Sequence, residues 1–311
     1  MEMIRQFKAL SDPTRLRLLN ILNEVELNVN EIVSIVDMIQ SGVSRHLKIL
    51  LESGLLSSRK QGSFIYYSAN QTSENRTLIQ YVCSKARTDE ICTLDLEKAR
   101  QSIVIRKNRT RRFFSTVAPQ WDRLKKEVLG EFDLNRVLRD EIGRSLIVAD
   151  LGCGTGEMLA VLSRESTDNR AEKFIGVDSS PEMLEQARIR LSASDSIDLR
   201  LGELENLPMR DREVDGVILS MVLFHIFEPQ KAIAEVFRVL KPGGLFLLAD
   251  FKKHDHENIR DIIGGVWLGF TRPQIEKWFR SVGFDIQKFQ EFQVEHDLCI
   301  YQFSAQKRMD G

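Results

Sequence analysis

The sequence predicts an α/β chain in two parts: a mostly α amino-terminal winged helix with a β-hairpin wing, then a doubly wound domain on a parallel sheet. Three observations predict it. First, 311 residues exceed what one small core needs, so two domains are expected at about 150 residues each. Second, charge is divided: residues 1–112 hold 18 Lys and Arg against 12 Asp and Glu, and residues 113–311 hold 26 against 33. A basic front and an acidic back point to two tasks. Third, the apolar pattern changes from short helices around one hairpin to strands alternating with amphipathic helices.

Composition excludes several classes. At 42% hydrophobic and 29% charged the chain is globular rather than disordered. No run approaches the ~18–20 apolar residues of a membrane span, and Met1-Glu2-Met3-Ile4-Arg5 lacks a signal-peptide core; a cytoplasmic protein with no membrane partner is expected. Cys83, Cys92, Cys153 and Cys299 form no C-x-x-C pair, so neither a disulfide framework nor a metal site is expected.

Ser11-Asp12-Pro13-Thr14 opens the first strong helix, because Asp12 accepts from free amides and Pro13 loses nothing at the first helical position. Leu16, Leu19 and Leu22 line its inner face. Asn30 is the expected cap of a short helix beginning at Glu31, and a third helix is expected from about Ser41 to Ser53, stopped by Gly54. Val43, Leu47, Leu50 and Leu51 share one side of it, while Gln40, Ser44, Arg45 and Lys48 stay polar. Leu55–Lys60, a Gln61-Gly62 turn and Ser63–Tyr67 read as a hairpin, with a basic and an aromatic strand.

Ala9–Leu16, Gln40–Lys48 and Glu52–Leu55 together resemble the ArsR/SmtB winged-helix repressors. The resemblance implies a homodimer on a palindromic double-stranded operator, with Gln40, Ser41, Ser44 and Arg45 on the DNA and Arg59 and Lys60 on phosphates. Solvated hairpin charges are the plainer alternative for Arg59 and Lys60, and a packed or surface histidine for His46. Where metal-sensing members carry Glu-Leu-Cys-Val-Cys, this chain has Glu26-Leu27-Asn28-Val29-Asn30. Amides replace two thiolates, so a soft metal is not the expected signal.

Residues 1–72 are thus expected to form the DNA-binding domain, and residues 73–112 a helical dimerisation and linker segment. Arg106–Arg112 is a basic run, read first as a solvated linker and second as an aid to DNA binding. Residues 113–311 form the second domain. Its candidate strands are Leu146–Leu151, Phe174–Val177, Ile197–Leu201, Val214–Ser220 and Leu245–Ala249, with helices at Glu157–Arg164, Pro181–Leu191 and Pro229–Leu240. Such sheets bind ligands at the carboxyl ends of their strands.

The first of these strands ends Asp150-Leu151-Gly152-Cys153-Gly154-Thr155-Gly156-Glu157. A dinucleotide fingerprint needs glycine where Glu157 stands, which disfavours a nicotinamide cofactor. The cluster resembles the first motif of class I S-adenosylmethionine-dependent methyltransferases, Rossmann-like in fold. The resemblance implies S-adenosylmethionine or S-adenosylhomocysteine on Asp150, Gly152, Gly154 and Gly156. Asp178 would take both ribose hydroxyls and Met183 would lie near adenine. Glu203 and Leu204 belong to the adenine loop, and Ser220 ends the fourth strand. Arg238–Gly244 is a further signature, and Phe113–Asp122 resembles a lid of the ubiquinone-biosynthesis type, or is plain core.

The whole chain resembles ArsR-type regulators fused to a methyltransferase-like domain, some of which respond to S-adenosylhomocysteine. The expected function is a DNA-binding transcriptional regulator, a repressor, with S-adenosylmethionine or S-adenosylhomocysteine as effector. An active small-molecule methyltransferase with a DNA-binding tether is the alternative. For the latter, His225 is the candidate general base, with packing or ligand shaping as its plainer role. His254-Asp255-His256-Glu257 is contiguous, and a surface loop is favoured over a metal site.

Overall fold

The computed structural model describes residues 2–143, 147–164, 173–194 and 196–309. It divides into residues Met1–Arg109 and Thr110–Gly311, each with its own hydrophobic core.

In the amino-terminal unit, α1 (Glu2–Leu10) and α2 (Pro13–Glu24) precede β1 (Leu27–Asn28), α3 (Val29–Val36) and α4 (Gln40–Glu52). The hairpin β2 (Leu56–Gln61) and β3 (Phe64–Ala69) follows, then α5 (Ser73–Ala86) and α6 (Glu90–Val117). The boundary between units falls within α6. Asp12 caps α2 as its chemistry requires, accepting from the Arg15 amide at 3.0 Å. Helix α3 begins earlier than expected at Glu31, capped by Asn28 rather than Asn30. The reason is reciprocal: Asn28 Oδ1 accepts from the Glu31 amide at 3.2 Å and Glu31 Oε2 from the Asn28 amide at 2.9 Å. Asn30 has no such acid three positions on. Leu18, Leu19, Ile21, Ile32, Val43, Leu47 and Leu50 are buried, and β1 extends the hairpin into a three-stranded sheet of order β1-β3-β2.

The carboxyl-terminal unit continues with a 3-10 turn at Ala118–Gln120, α7 (Trp121–Leu129), α8 (Leu134–Ile142), β4 (Ile147–Leu151) and α9 (Glu157–Arg164). Leu146, the expected start of β4, lies outside the described residues. Then come β5 (Lys173–Asp178), α10 (Pro181–Arg190), β6 (Ile197–Leu201), β7 (Val214–Ser220), a 3-10 turn at Leu223–His225 and α11 (Pro229–Val239). The chain ends with β8 (Leu240–Phe251), α12 (Glu257–Ile263), α13 (Arg272–Val282), β9 (Phe284–Gln293) and β10 (Cys299–Lys307). One sheet of order β6-β5-β4-β7-β8-β10-β9 results, parallel except that β10 runs antiparallel to β8 and β9. Val217–Leu219 and Phe246–Ala249 are fully buried, as strands covered on both faces require.

The strand order reverses between β4 and β7, which opens a crevice beyond their carboxyl ends. Sequence patterning missed β9 and β10, α7, α8, α12 and α13, and it began β8 late, at Leu245 instead of Leu240.

Replacing Asn28 by Ala removes the side-chain half of the α3 cap, the acceptor for the Glu31 amide, and leaves the residue-28 amide to donate to Glu31. It is expected to cost about 1 kcal/mol, read as faster amide exchange in α3 of the full chain; unchanged exchange would contradict the cap's role.

Candidate functional site

In the amino-terminal unit, Gln40, Ser41, Ser44, Arg45 and Lys48 all lie exposed along the side of α4 opposite Val43 and Leu47. Lys60 is exposed on the wing. Arg59 departs from expectation. Its guanidinium grips Glu26, with Nε at 2.8 Å and Nη2 at 2.6 Å from the carboxylate, and lies 4.7 Å from the Tyr66 ring centroid. A bidentate pair of this kind is a strong, oriented interaction, so Arg59 reaches a phosphate only by leaving Glu26. His46 is half-buried, its Nδ1 3.7 Å from Asp12.

The carboxyl-terminal unit brings the predicted ligand residues together. Register places Asp150 beside Gly176 and Asp178 beside Leu201, so the loops after β4, β5 and β6 emerge side by side. Asp178 ties two of them: Oδ2 accepts from the Gly154 amide and Oδ1 from the Ser180 amide, each at 2.9 Å. A carboxylate has about four acceptor sites, which leaves one on each oxygen for a vicinal diol. Burial raises the Asp178 pKa, with the Ser180, Gly154 and Ser179 amides opposing that rise.

Gly152 has φ 73, and a Cβ there would stand 2.5 Å from the Val222 side chain, so only glycine lets this backbone turn beneath the crevice. Gly156 sits against Ala187 of α10 and Leu191 just past its end. Met183 is buried at the start of α10, its amide donating to Ser180 Oγ at 3.2 Å, and Leu204 is buried in the loop after β6. Glu203 in that loop pairs with Arg111 at 2.6 Å.

Asp150 is buried at the end of β4. Burial pushes its carboxyl up to about 7; Lys125 opposes the shift, while Asp178 and Glu157 reinforce it. A cavity of about 780 Å³, whose lining does not include Asp150, is bordered by Asp122, Lys125, Leu129, Phe132, Glu157 and Ser220 among others, within the range of small-molecule sites. Lys125 is ion-paired with Glu157. Ser220 thus faces this cavity rather than standing alone at a strand end.

The segment expected as lid or core lies across the crevice. Asp122 accepts from Thr155 Oγ1 at 2.6 Å and pairs with Arg190. Trp121 stands over Gly154, since a Cβ there would approach its Nε1 to 3.6 Å. Phe114 packs edge-on against Trp121 and against His225, with centroids 5.3 and 4.7 Å apart.

His225 is buried, with Nδ1 3.2 Å from the Gly264 carbonyl and Nε2 without a partner. Burial drives its pKa down to about 3, which makes it a poor general base near neutrality. The plainer reading, a neutral ring shaping the site, fits this geometry. Asp250 was missed as a determinant. Fully buried, with its carboxyl pushed up to about 7 by burial, it accepts from the Phe224 and Phe251 amides and so holds the His225 turn. His254 accepts from the His256 amide at 3.2 Å, and no group of metal-ligating side chains occurs among the described residues.

Comparison with known proteins follows this division. Residues 12–58 match the model of bacterial regulatory proteins of the arsR family, and residues 149–248 match a methyltransferase domain model. A protein of 37.1 kDa in a Streptomyces fradiae transposon is 39% identical over 101 residues, 32% of this chain and 29% of that one. A demethylmenaquinone methyltransferase of Symbiobacterium thermophilum is 35% identical over 135 residues, 42% of this chain and 52% of its own length. Another from Desulfitobacterium hafniense is 27% identical over 207 residues, 63% and 76% of the two chains. The chain thus spans from under a third to about half of the first two relatives. The [4+2]-cyclase SpnF has the same fold: TM-score 0.53, 18% identity, 64% of this chain and 95% of that one. So does the complex of the Haloferax volcanii Trm112 activator with a putative methyltransferase, at TM-score 0.50 and 18% identity, covering 63% and 97%.

The class of protein is therefore an arsR-type helix-turn-helix joined to a methyltransferase domain of Rossmann-like fold.

A ligand ammonium group at Asp150 favours the ionised carboxylate. Its affinity is expected to rise as pH rises from 6 to 8, because the free site, with a pKa of about 7, must lose its proton on binding. Calorimetry of S-adenosylhomocysteine in buffers of different ionisation enthalpy counts that proton. Asp150→Asn should remove the pH dependence, and a dependence that survives would place the ammonium elsewhere.

Proposed function

We propose that the chain is a DNA-binding transcriptional regulator, a repressor acting as a homodimer on a palindromic operator, with S-adenosylmethionine or S-adenosylhomocysteine as effector. The observation that carries this reading is the match of residues 12–58 to the arsR family in the same chain as a glycine turn and buried carboxylate suited to an adenosyl group, beside an imidazole of low basicity. Asp178, Gly152 and Gly156 retain the shape and acceptors an adenosyl group needs, whereas His225 has its basicity suppressed. S-adenosylmethionine, when bound, supplies an electrophilic methyl group, which the tethered-enzyme alternative would use.

The ligand residues have distinct tasks in this reading. Asp150 faces the ammonium group, Asp178 accepts the ribose hydroxyls, Met183 and Leu204 cover adenine, and Glu203 accepts from its amino group. Ser220 and Lys125 border the amino-acid end. On DNA, Gln40, Ser41, Ser44 and Arg45 read base edges, and Lys60 meets phosphate. Apolar side chains left exposed on α1 and α6 (Met3, Ile4, Phe7, Ile91, Leu94) support a second copy as the dimer partner. Residues 1–72 and 73–112 then serve reading and dimerisation, and residues 113–311 serve sensing.

Two sets of variants test the reading. Asp178→Ala is expected to weaken both ligands by about 1–3 kcal/mol for each hydroxyl left without its acceptor, measured by calorimetry; unchanged affinity would put the ligand elsewhere. On an operator selected from random duplexes, Arg45→Ala should relax sequence preference. Lys60→Ala should weaken all duplexes alike and lower the salt slope by about 1. A chain whose operator affinity is indifferent to saturating amounts of either ligand, and which turns over an acceptor, is the tethered enzyme.

A further inference from the structure

Helix α6 carries polar anchors at both ends, and each set lands on groups the function needs. Its first part grips the DNA-reading unit. Asp95, almost fully buried, accepts from Arg17 of α2 at 2.6 Å. Arg106 pairs with Glu31 of α3, donates to the Glu26 carbonyl at 3.1 Å, and lies 5.4 Å from the Tyr66 ring centroid. Arg59 lies over that ring too, so one tyrosine of the wing joins two guanidinium groups whose carboxylate partners are Glu26 and Glu31. These two acids bracket the stretch where metal-sensing relatives carry thiolates. In this chain the cation at that place is a side chain of α6.

The last part of α6 belongs to the other unit and has different partners. Arg111 pairs with Glu203 of the loop after β6, and Ser115 Oγ donates to Glu182 Oε2 in the first turn of α10, just past the loop after β5, at 2.7 Å. Arg111 and Ser115 are four residues apart and so share one helix face. In the reading proposed above, the loop after β6 and the start of α10, which also carries Met183, both border the adenosyl group. The Arg111–Glu203 pair is about half exposed on each side, and such a pair is worth little on its own. A ligand amino group that hydrogen-bonds Glu203 therefore displaces Arg111 at small cost.

We propose that α6 reports occupancy of the adenosyl site to the wing, with Arg111 and Ser115 reading the loop after β6 and the start of α10, and Arg106 holding the wing. The inference rests on the sensor reading above and adds the residues that carry its regulation. It turns the basic run at 106–112 from a solvated linker into two separate contacts: Arg106 faces the sensor-box acids, and Arg111 faces the adenine loop. The signal crosses as a change in which acids the α6 cations hold, so no metal is needed at Glu26–Asn30.

The test uses the full chain, its selected operator and S-adenosylhomocysteine at saturation, so that a change in ligand affinity does not mask the effect. For the wild type, operator affinity with and without ligand is expected to differ by about 5- to 150-fold. In the Arg111→Ala, Ser115→Ala double variant the ratio should fall to near unity, while operator binding without ligand persists. Arg106→Lys keeps the charge, loses the fork on Glu31, and should also lower the ratio with ligand affinity unchanged. It serves as the second arm if the double variant does not fold. A wild-type ratio retained in the folded variants overturns the relay and leaves the sensor standing. A wild-type ratio of one overturns the sensor reading, and the relay with it.

Discussion

The proposed adenosyl cradle depends on one buried carboxylate. Asp178 stands at the end of β5 between two loops, and its oxygens receive the amides of Gly154 and Ser180. Those bonds stabilise a charge that burial alone would discourage, and they fix the glycine turn against the neighbouring strand. The Gly152 and Cys153 amides then reach the Val177 carbonyl at 2.7 and 3.0 Å, and the Gly202 amide reaches the Asp178 carbonyl at 3.0 Å. Three loops are thereby held in one arrangement before any ligand enters, which limits the reorganisation that binding must offset.

Around this cradle, charged groups divide into those that shape and those that are free to exchange partners. Asp250 lies wholly inside, bonded to backbone, and sets the turn carrying His225. Arg238 is fastened to Glu235 and Asp211 and to carbonyls of the loop between β6 and β7. Arg111 and Glu203, by contrast, are about half exposed and paired only with each other among the bonds described for them. The same contrast holds in the amino-terminal unit: Gln40, Ser41, Ser44 and Arg45 lie exposed on α4, whereas the wing's Arg59 is held by Glu26. In the proposed operator complex, the wing therefore draws on Lys60 before Arg59.

Features encoded within a few residues were legible in the sequence. The α2 cap, the hairpin, the glycine turn after β4 and the order of the methyltransferase motifs each depend on local spacing, and each stands where that spacing puts it. Features made by distant partners were not. Arg59 meets Glu26 across 33 positions, and Arg111 meets Glu203 across 92; from the chain alone both arginines look like solvated cations. His225 was visible as an imidazole near the crevice, but its loss of basicity comes from burial among Phe114, Trp121 and Phe224. The α3 cap was misread because Asn28 and Asn30 are chemically equal, and only the acid three positions after Asn28 separates them. Strand β9 escaped because it is mostly exposed or half-buried, and β10 because buried Gln302, Ser304 and Lys307 interrupt its apolar pattern.

The account's central claim is thermodynamic: one chain binds an adenosyl ligand and an operator, and each binding alters the other. Reciprocity makes this measurable from both sides, because the factor by which S-adenosylhomocysteine changes operator affinity must equal the factor by which operator changes S-adenosylhomocysteine affinity. The most direct measurement closes that box on the purified full chain at one salt concentration, with anisotropy for the operator arms and calorimetry for the ligand arms. The account predicts equal factors that both differ from one. Factors of one on both sides, with each partner still binding alone, would contradict it.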